Sequence, residues 1–158
     1  MEEKIALFPY EPWSVTEREF NVEKNHFSEA IFSLGNGYMG MRGTLEEDYT
    51  GPDNTTTPGM YINGVYASEG IIYGEEAPDL PEKSQTIINI AEWSNINIYL
   101  DMEKLDLLKG EVRNYRRALD MKKGVLEREF IWESSTGKQI QFWITRFLSQ
   151  SSPHTGLV

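Results

Sequence analysis

Apolar and polar residues alternate with a period of two along three stretches of the second half of the chain. Over Asn95–Asp101, Ile96, Ile98 and Leu100 fall on one side, and Asn95, Asn97, Tyr99 and Asp101 on the other. Over Val125–Glu133, Leu126, Phe130 and Trp132 share a side, with Arg128 as the one polar intruder. Over Gln139–Leu148, Ile140, Phe142, Ile144 and Leu148 lie opposite Gln141 and Thr145. Strict alternation is the mark of a half-buried strand. Ser134-Ser135-Thr136-Gly137 separates the last two runs, and its glycine can take the positive φ of a short hairpin loop. Val125–Leu148 is therefore expected to form one antiparallel hairpin. Glu111–Lys123 is different: Val112, Tyr115, Ala118 and Leu119 stand at helical spacing. The first half is rich in chain breakers, notably Gly51-Pro52-Asp53-Asn54 and the run from Glu75 to Pro81. No repeat or linker divides the chain.

Composition narrows the classes. The chain has 158 residues, 39% of them hydrophobic and 12% aromatic, enough to bury a core without metals or disulfides. Its formal charge of -10 repels phosphate backbones and anionic membranes, so neither nucleic acid nor a membrane is expected as a partner. The absence of cysteine excludes disulfides and thiolate metal sites. Met1-Glu2-Glu3-Lys4 lacks the basic start and apolar run of a signal peptide, which fits a cytoplasmic location. The sequon Asn54-Thr55-Thr56 then has no secretory context.

Chemistry-bearing motifs are few. Gly35-Asn36-Gly37-Tyr38-Met39-Gly40 matches G-x-G-x-x-G, but Met41-Arg42-Gly43-Thr44 follows it instead of an amphipathic helix, so a dinucleotide site is excluded. Glycines at 35, 37, 40 and 43 serve tight turns or close backbone approach. Glu23 and His26 have E-x-x-H spacing, but a di-iron bundle needs a second such pair, and the only other histidine is His154. Carboxylates cluster at Glu46-Glu47-Asp48, at Glu75-Glu76 and at Glu127 and Glu129. Glycoside chemistry uses two carboxylates across a bond, yet abundance alone assigns none of these. Tyr38, Tyr61, Tyr66 and Trp93 could stack on sugar rings or fill a core.

The ordered set of motifs carries more. Trp13-Ser14-Val15 precedes Glu17 and Phe20. Glu29-Ala30-Ile31-Phe32-Ser33-Leu34-Gly35-Asn36-Gly37-Tyr38-Met39-Gly40-Met41-Arg42-Gly43 follows, then Glu46-Glu47 and Pro58-Gly59-Met60-Tyr61-Ile62-Asn63-Gly64-Val65-Tyr66. Tyr115-Arg116-Arg117-Ala118-Leu119-Asp120-Met121, Gly124-Val125-Leu126 with Arg128, and Arg146-Phe147-Leu148-Ser149 complete it. From Trp13 to Ser149 the chain resembles the N-terminal domain of glycoside hydrolase family 65, which holds maltose, trehalose, kojibiose and nigerose phosphorylases and some hydrolases.

That resemblance implies an all-β chain, part of an antiparallel β-sandwich of the super-sandwich type. It implies extended structure for Glu111–Lys123, against that segment's own helical spacing. It further implies that residues 1–158 stop inside the sandwich, before an (α/α)6 barrel that carries the catalytic general acid and the phosphate-binding groups. The parent would be an inverting phosphorylase that turns a glucosyl disaccharide plus phosphate into β-glucose 1-phosphate, with no cofactor. A hydrolase of the same family and a stand-alone sugar-binding or assembly module are the alternatives. The partners implied are the barrel of the same enzyme and a second copy of the parent; the substrates are disaccharide and phosphate. No catalytic, cofactor or metal residue maps onto this chain. Asn36, Tyr38, Arg42, Tyr61 and Tyr66 are the candidates for structural or active-site-facing loops. Arg42 is expected to be a buried anchor that pairs with a carboxylate or with backbone carbonyls, Glu46 and Glu47 being the nearest acidic candidates in sequence.

Overall fold

The computed structural model describes residues 8–47, 49–75 and 78–158; Asp48 of the first carboxylate cluster and Glu76 of the second lie outside them, as does Met1–Lys4. The described residues form an antiparallel β-structure with one short α-helix. Its main sheet takes strands from both ends of the chain, in the order β1 (Tyr10–Glu11), β2 (Ser14–Glu17), β10 (Glu111–Asp120), β11 (Val125–Glu133), β12 (Gln139–Leu148) and β13 (Gly156–Leu157). A second sheet joins β3 (Leu34–Gly35), β4 (Met39–Met41) and β5 (Met60–Ile62). Two hairpins stand apart: β6 (Tyr66–Gly70) with β7 (Lys83–Ile87), and β8 (Tyr99–Leu100) with β9 (Glu103–Lys104). Helix α1 (Asn25–Ile31) runs between β2 and β3.

The expected hairpin forms with the expected bounds. Val125 pairs with Phe147 and Glu133 with Gln139, without a break in register. Its loop closes through Ser134 N–H donating to Lys138 O, with Gly137 at φ +80°. Leu126, Phe130 and Trp132 point inward and are almost wholly buried. Burying side chains of this size stabilises the fold by about 1.5–3 kcal/mol each. Phe130 and Trp132 share a core with Leu45, Leu105, Leu107 and Tyr115, and Phe142 and Ile144 pack against it. A smaller core of Met41, Met60 and Leu148 joins the second sheet to β12.

Glu111–Asp120 is a strand, and the structure shows why it carries helical spacing. The register against β11 shifts between Arg113 and Arg116, and Asn114 has φ +54°. This bulge inserts a residue, so Val112 and Tyr115 serve one face although they are three apart. Leu119, opposite Leu126, falls on the same side as Tyr115, and Ala118 completes the apparent helix from the opposite face, against Thr16 and Glu127.

The expectation for Asn95–Asp101 is corrected. Only Tyr99–Leu100 is a strand, in the tight hairpin with β9. Asn95–Ile98 has the alternation but no neighbouring strand. Ile96 N–H donates to Glu46 O, while the N–H groups of Asn95 and Asn97 have no partner among the described residues. Ile96 is 44% exposed, and Ile98 and Leu100 pack against the main core. Alternation specifies which face is apolar; a ladder also needs a strand alongside. Among the described residues no helix is long and apolar enough to cross a membrane.

Candidate functional site

Three arginines occupy inward positions on three adjacent strands. Arg117 of β10 stands opposite Arg128 of β11, and Arg146 of β12 lies opposite Leu126. All three are at most 3% exposed. An unpaired guanidinium could not persist there, and each is answered by buried carboxylates. Arg117 donates from Nε and Nη2 to Glu17 Oε2 at 3.0 and 2.9 Å, and from Nη1 to Gly43 O at 2.8 Å. Its guanidinium also lies 4.6 Å from the Phe32 ring centroid. Arg128 grips Glu47 with both terminal nitrogens, one bond being 2.7 Å, and its Nη2 is 2.7 Å from Glu46 Oε2. Arg146 binds Glu46 Oε1 and the carbonyls of Arg42 and Thr44. The segment from Arg42 to Glu47 is thereby fastened across the inner face of the main sheet.

Electrostatics follow from burial and proximity. Burial works against the Glu46 carboxylate, but Arg128 and Arg146 outweigh it and hold that carboxyl below the usual range. Burial likewise works against the Arg128 cation, while Glu47 and Glu46 hold its proton more firmly than usual. Tyr115, whose hydroxyl has no hydrogen-bond partner among the described residues, is pushed up to about 12, chiefly by burial.

The same segment carries the glycine-rich turn. Asn36 Oδ1 accepts from the N–H groups of Tyr38 and Met39, which closes the turn around Gly37 at φ +86°. Its Nδ2 donates to Ser149 O and Pro153 O, tying the turn to the chain beyond β12. Tyr38 meets His154 edge-on, with ring centroids 4.2 Å apart. Asn63 N–H donates to Tyr38 O, and Tyr66 Oη donates to Asn63 Oδ1. Asn36, Tyr38 and Tyr66 therefore gather at one end of the second sheet. Tyr61 and Arg42 meet elsewhere, around Gly59: a Cβ there would lie 2.7 Å from Tyr61 Oη and 2.8 Å from Arg42 Cδ.

Arg42 binds a backbone carbonyl, one of its two expected kinds of partner, and not the carboxylates nearest to it in sequence. Glu46 and Glu47 are taken by Arg146 and Arg128, so Arg42 Nη2 donates to His26 O at 2.9 Å and lies 3.9 Å from Glu29. Its side chain is 23% exposed. Glu29 itself is wholly buried and satisfied by Asn25, Thr56 and Thr57 N–H. Glu23 and His26 are both exposed. Trp93 is 40% exposed and packs against Gly156. The three buried arginines were not among the residues expected from the sequence, although one signal was present: Arg128 and Arg146 share the parity of the apolar residues on their strands.

Each buried guanidinium is committed to carboxylates or carbonyls, so this layer fastens a loop. At the glycine-rich turn, by contrast, Tyr66 and His154 are exposed and Tyr38 is half-buried.

The model of glycosyl hydrolase family 65, N-terminal domain, matches residues 15–158. The chain is 43% identical over 155 residues to an alpha,alpha-trehalose phosphorylase of Thermoanaerobacter brockii, covering 98% of this chain and 20% of that protein. It is 35% identical over 145 residues to a kojibiose phosphorylase of Halothermothrix orenii, covering 92% and 17%. A solved structure described as a kojibiose phosphorylase from human microbiome superposes with a TM-score of 0.82 at 30% identity, over 94% of this chain and 19% of that one. The chain thus spans about a fifth of the length of the curated relatives it matches.

Proposed function

Because the chain belongs to glycosyl hydrolase family 65, as its N-terminal domain, we propose that it is the supporting β-sandwich of an inverting α-glucoside phosphorylase. The observation that carries this is the 43% identity, over nearly the whole chain, to a protein named as a trehalose phosphorylase. In the proposed reaction a phosphate oxygen bonds to the anomeric carbon as the glycosidic C–O bond breaks. A carboxylic acid gives its proton to the departing sugar oxygen, and inversion yields β-glucose 1-phosphate and free acceptor sugar. Phosphate is a substrate, and no cofactor enters. The acid and the phosphate-binding groups belong to a helical barrel in the rest of the parent, a cytoplasmic enzyme that works as a homodimer.

The role of residues 1–158 in this proposal is to present ordered loops to that barrel. The arginine layer fixes Arg42–Glu47, and the Asn36 turn holds Tyr38 against His154, with Tyr66 tied to the turn through Asn63. Those three side chains face the mouth of the barrel, and Arg42 and Tyr61 brace the strands behind them. The acceptor sugar is not chosen here, since relatives named for different disaccharides match the same residues.

The test is product analysis with the full-length protein. Incubated with inorganic phosphate and trehalose, maltose, kojibiose or nigerose, it should form β-glucose 1-phosphate from at least one of them, seen by NMR. Residues 1–158 alone should form none. Release of two free sugars without a phosphorylated product would make the parent a hydrolase.

A further inference from the structure

We propose a second sugar-binding site on the outward face of the main sheet, a groove built around Trp13 that takes a neutral α-glucoside. The groove starts at the turn between β1 and β2. Glu11 pairs with Ser14, so Pro12 and Trp13 are the whole loop. Proline suits the first central position of a type II turn, and the second requires φ above zero, where glycine or asparagine is the ordinary choice. This chain has tryptophan there, at φ +64°. The ring does not repay that strained backbone with burial in this fold, for Trp13 is 60% exposed. A bulky residue held in a glycine conformation and left facing outward calls for a use beyond the turn.

The surroundings supply one. Trp13 walls a groove of about 210 Å³. Arg116, Ala118 and Asp120 alternate along the outward side of β10, with Ala118 as its small floor. Glu127 faces Ala118 from the next strand. Lys122 extends beside the tryptophan, its Nζ 5.8 Å from the ring centroid. Asp120 is occupied, accepting from the N–H groups of Lys122 and Lys123. Arg116 and Glu127 have no polar partner among the described residues, so one offers donors and the other acceptors into the groove.

The chemistry selects the ligand. Two cations and two anions line the groove, Arg116 and Lys122 against Asp120 and Glu127, so it attracts neither an anion nor a cation as such. A pyranose matches all three features. Its flat C–H face lies on an indole, and its vicinal hydroxyls both donate to a carboxylate and accept from a guanidinium. The volume is below the about 300–1,000 Å³ of pockets for drug-sized ligands, which suits a single sugar ring of a longer chain. The choice of an α-glucoside rests on the function proposed above; the groove and its neutral, polyhydroxylated preference do not.

Maltotetraose, titrated calorimetrically into the full-length protein, is the probe, with Trp13→Gly as the main variant. Glycine fits the turn better than tryptophan, so the variant should unfold at no lower temperature while binding at this site weakens about tenfold or more. Arg116→Ala and Glu127→Gln should weaken it also, again without loss of thermal stability. Disaccharide turnover should be unchanged in all three. No binding to the wild type, equal binding by wild type and variants, or a Trp13→Gly protein that melts several degrees lower would overturn the proposal; the last would make Trp13 a packing anchor. Absence of phosphorolysis in the wild type would defeat the proposed function and leave this comparison readable.

Discussion

At the scale of the residue, the governing fact is which guanidinium is buried. Arg117, Arg128 and Arg146 are enclosed and bound by carboxylates and carbonyls, whereas Arg42 is partly open and holds one carbonyl. Removing one member of a buried pair leaves the other charge without compensation, at a cost of about 3–5 kcal/mol. Arg146→Met would strand Glu46 Oε1 and the carbonyls of Arg42 and Thr44 together. We expect a loss of that size in urea denaturation. For Arg42→Lys an ammonium can still reach a carbonyl, and the neighbouring Glu29 is already satisfied. Its effect should stay within about 1 kcal/mol. An Arg42→Lys protein as unstable as Arg146→Met would restore Arg42 as the principal anchor.

At the scale of the element, the glycine-rich segment turns out to need its glycines unequally. A Cβ at Gly43 would stand 2.7 Å from Phe32 Cβ and 2.8 Å from its carbonyl oxygen. Both contacts are with fixed atoms, since Phe32 is wholly buried and its N–H caps α1. Gly43→Ala should therefore destabilise by about 1–3 kcal/mol, as overpacking does. At Gly40 the nearest atom would be Leu34 O at 4.0 Å. Gly40→Ala should be nearly silent in the same thermal melt, and equal effects at the two positions would sink this distinction. The spacing of the glycines pointed to close approach and tight turns; which glycine does which was not legible, because it depends on α1 packing against the strand that follows.

At the scale of the whole molecule, the buried ion layer sets the pH range of stability. The Glu46 carboxyl titrates below its ordinary 4.5 in the folded chain. Its contribution is therefore complete above about 4.5 and disappears as pH falls through the lower folded value. Tyr115 titrates at about 12 when folded and at its ordinary 10.0 when not. Its contribution is complete below about 10 and fades as pH rises toward 12. The urea midpoint should thus hold steady from neutral pH to about pH 5 and fall on further acidification. It should also fall above about pH 10, a decline that Tyr115→Phe reduces without cost at neutral pH, since the hydroxyl is unpaired. A Tyr115→Phe protein with an unaltered alkaline decline would contradict this account.

Local alternation was enough to place the hairpin Val125–Leu148, because its two strands follow one another directly and pair across a short loop. The ordered motifs were enough to identify the family, and the resemblance was needed to turn Glu111–Asp120 from helix to strand. What tertiary structure alone decided is what lies between distant segments. The bulge at Asn114 disguised a strand's period as a helix's. Asn95–Ile98 kept its alternation without gaining a ladder, because a ladder depends on a neighbour that the segment's own residues do not specify. Arg117, Arg128 and Arg146 looked like interruptions of apolar faces until the fold brought Glu17, Glu46 and Glu47 onto them across 81 to 100 positions. A buried charge is tolerable only beside its counter-charge, and that juxtaposition is a property of the folded chain.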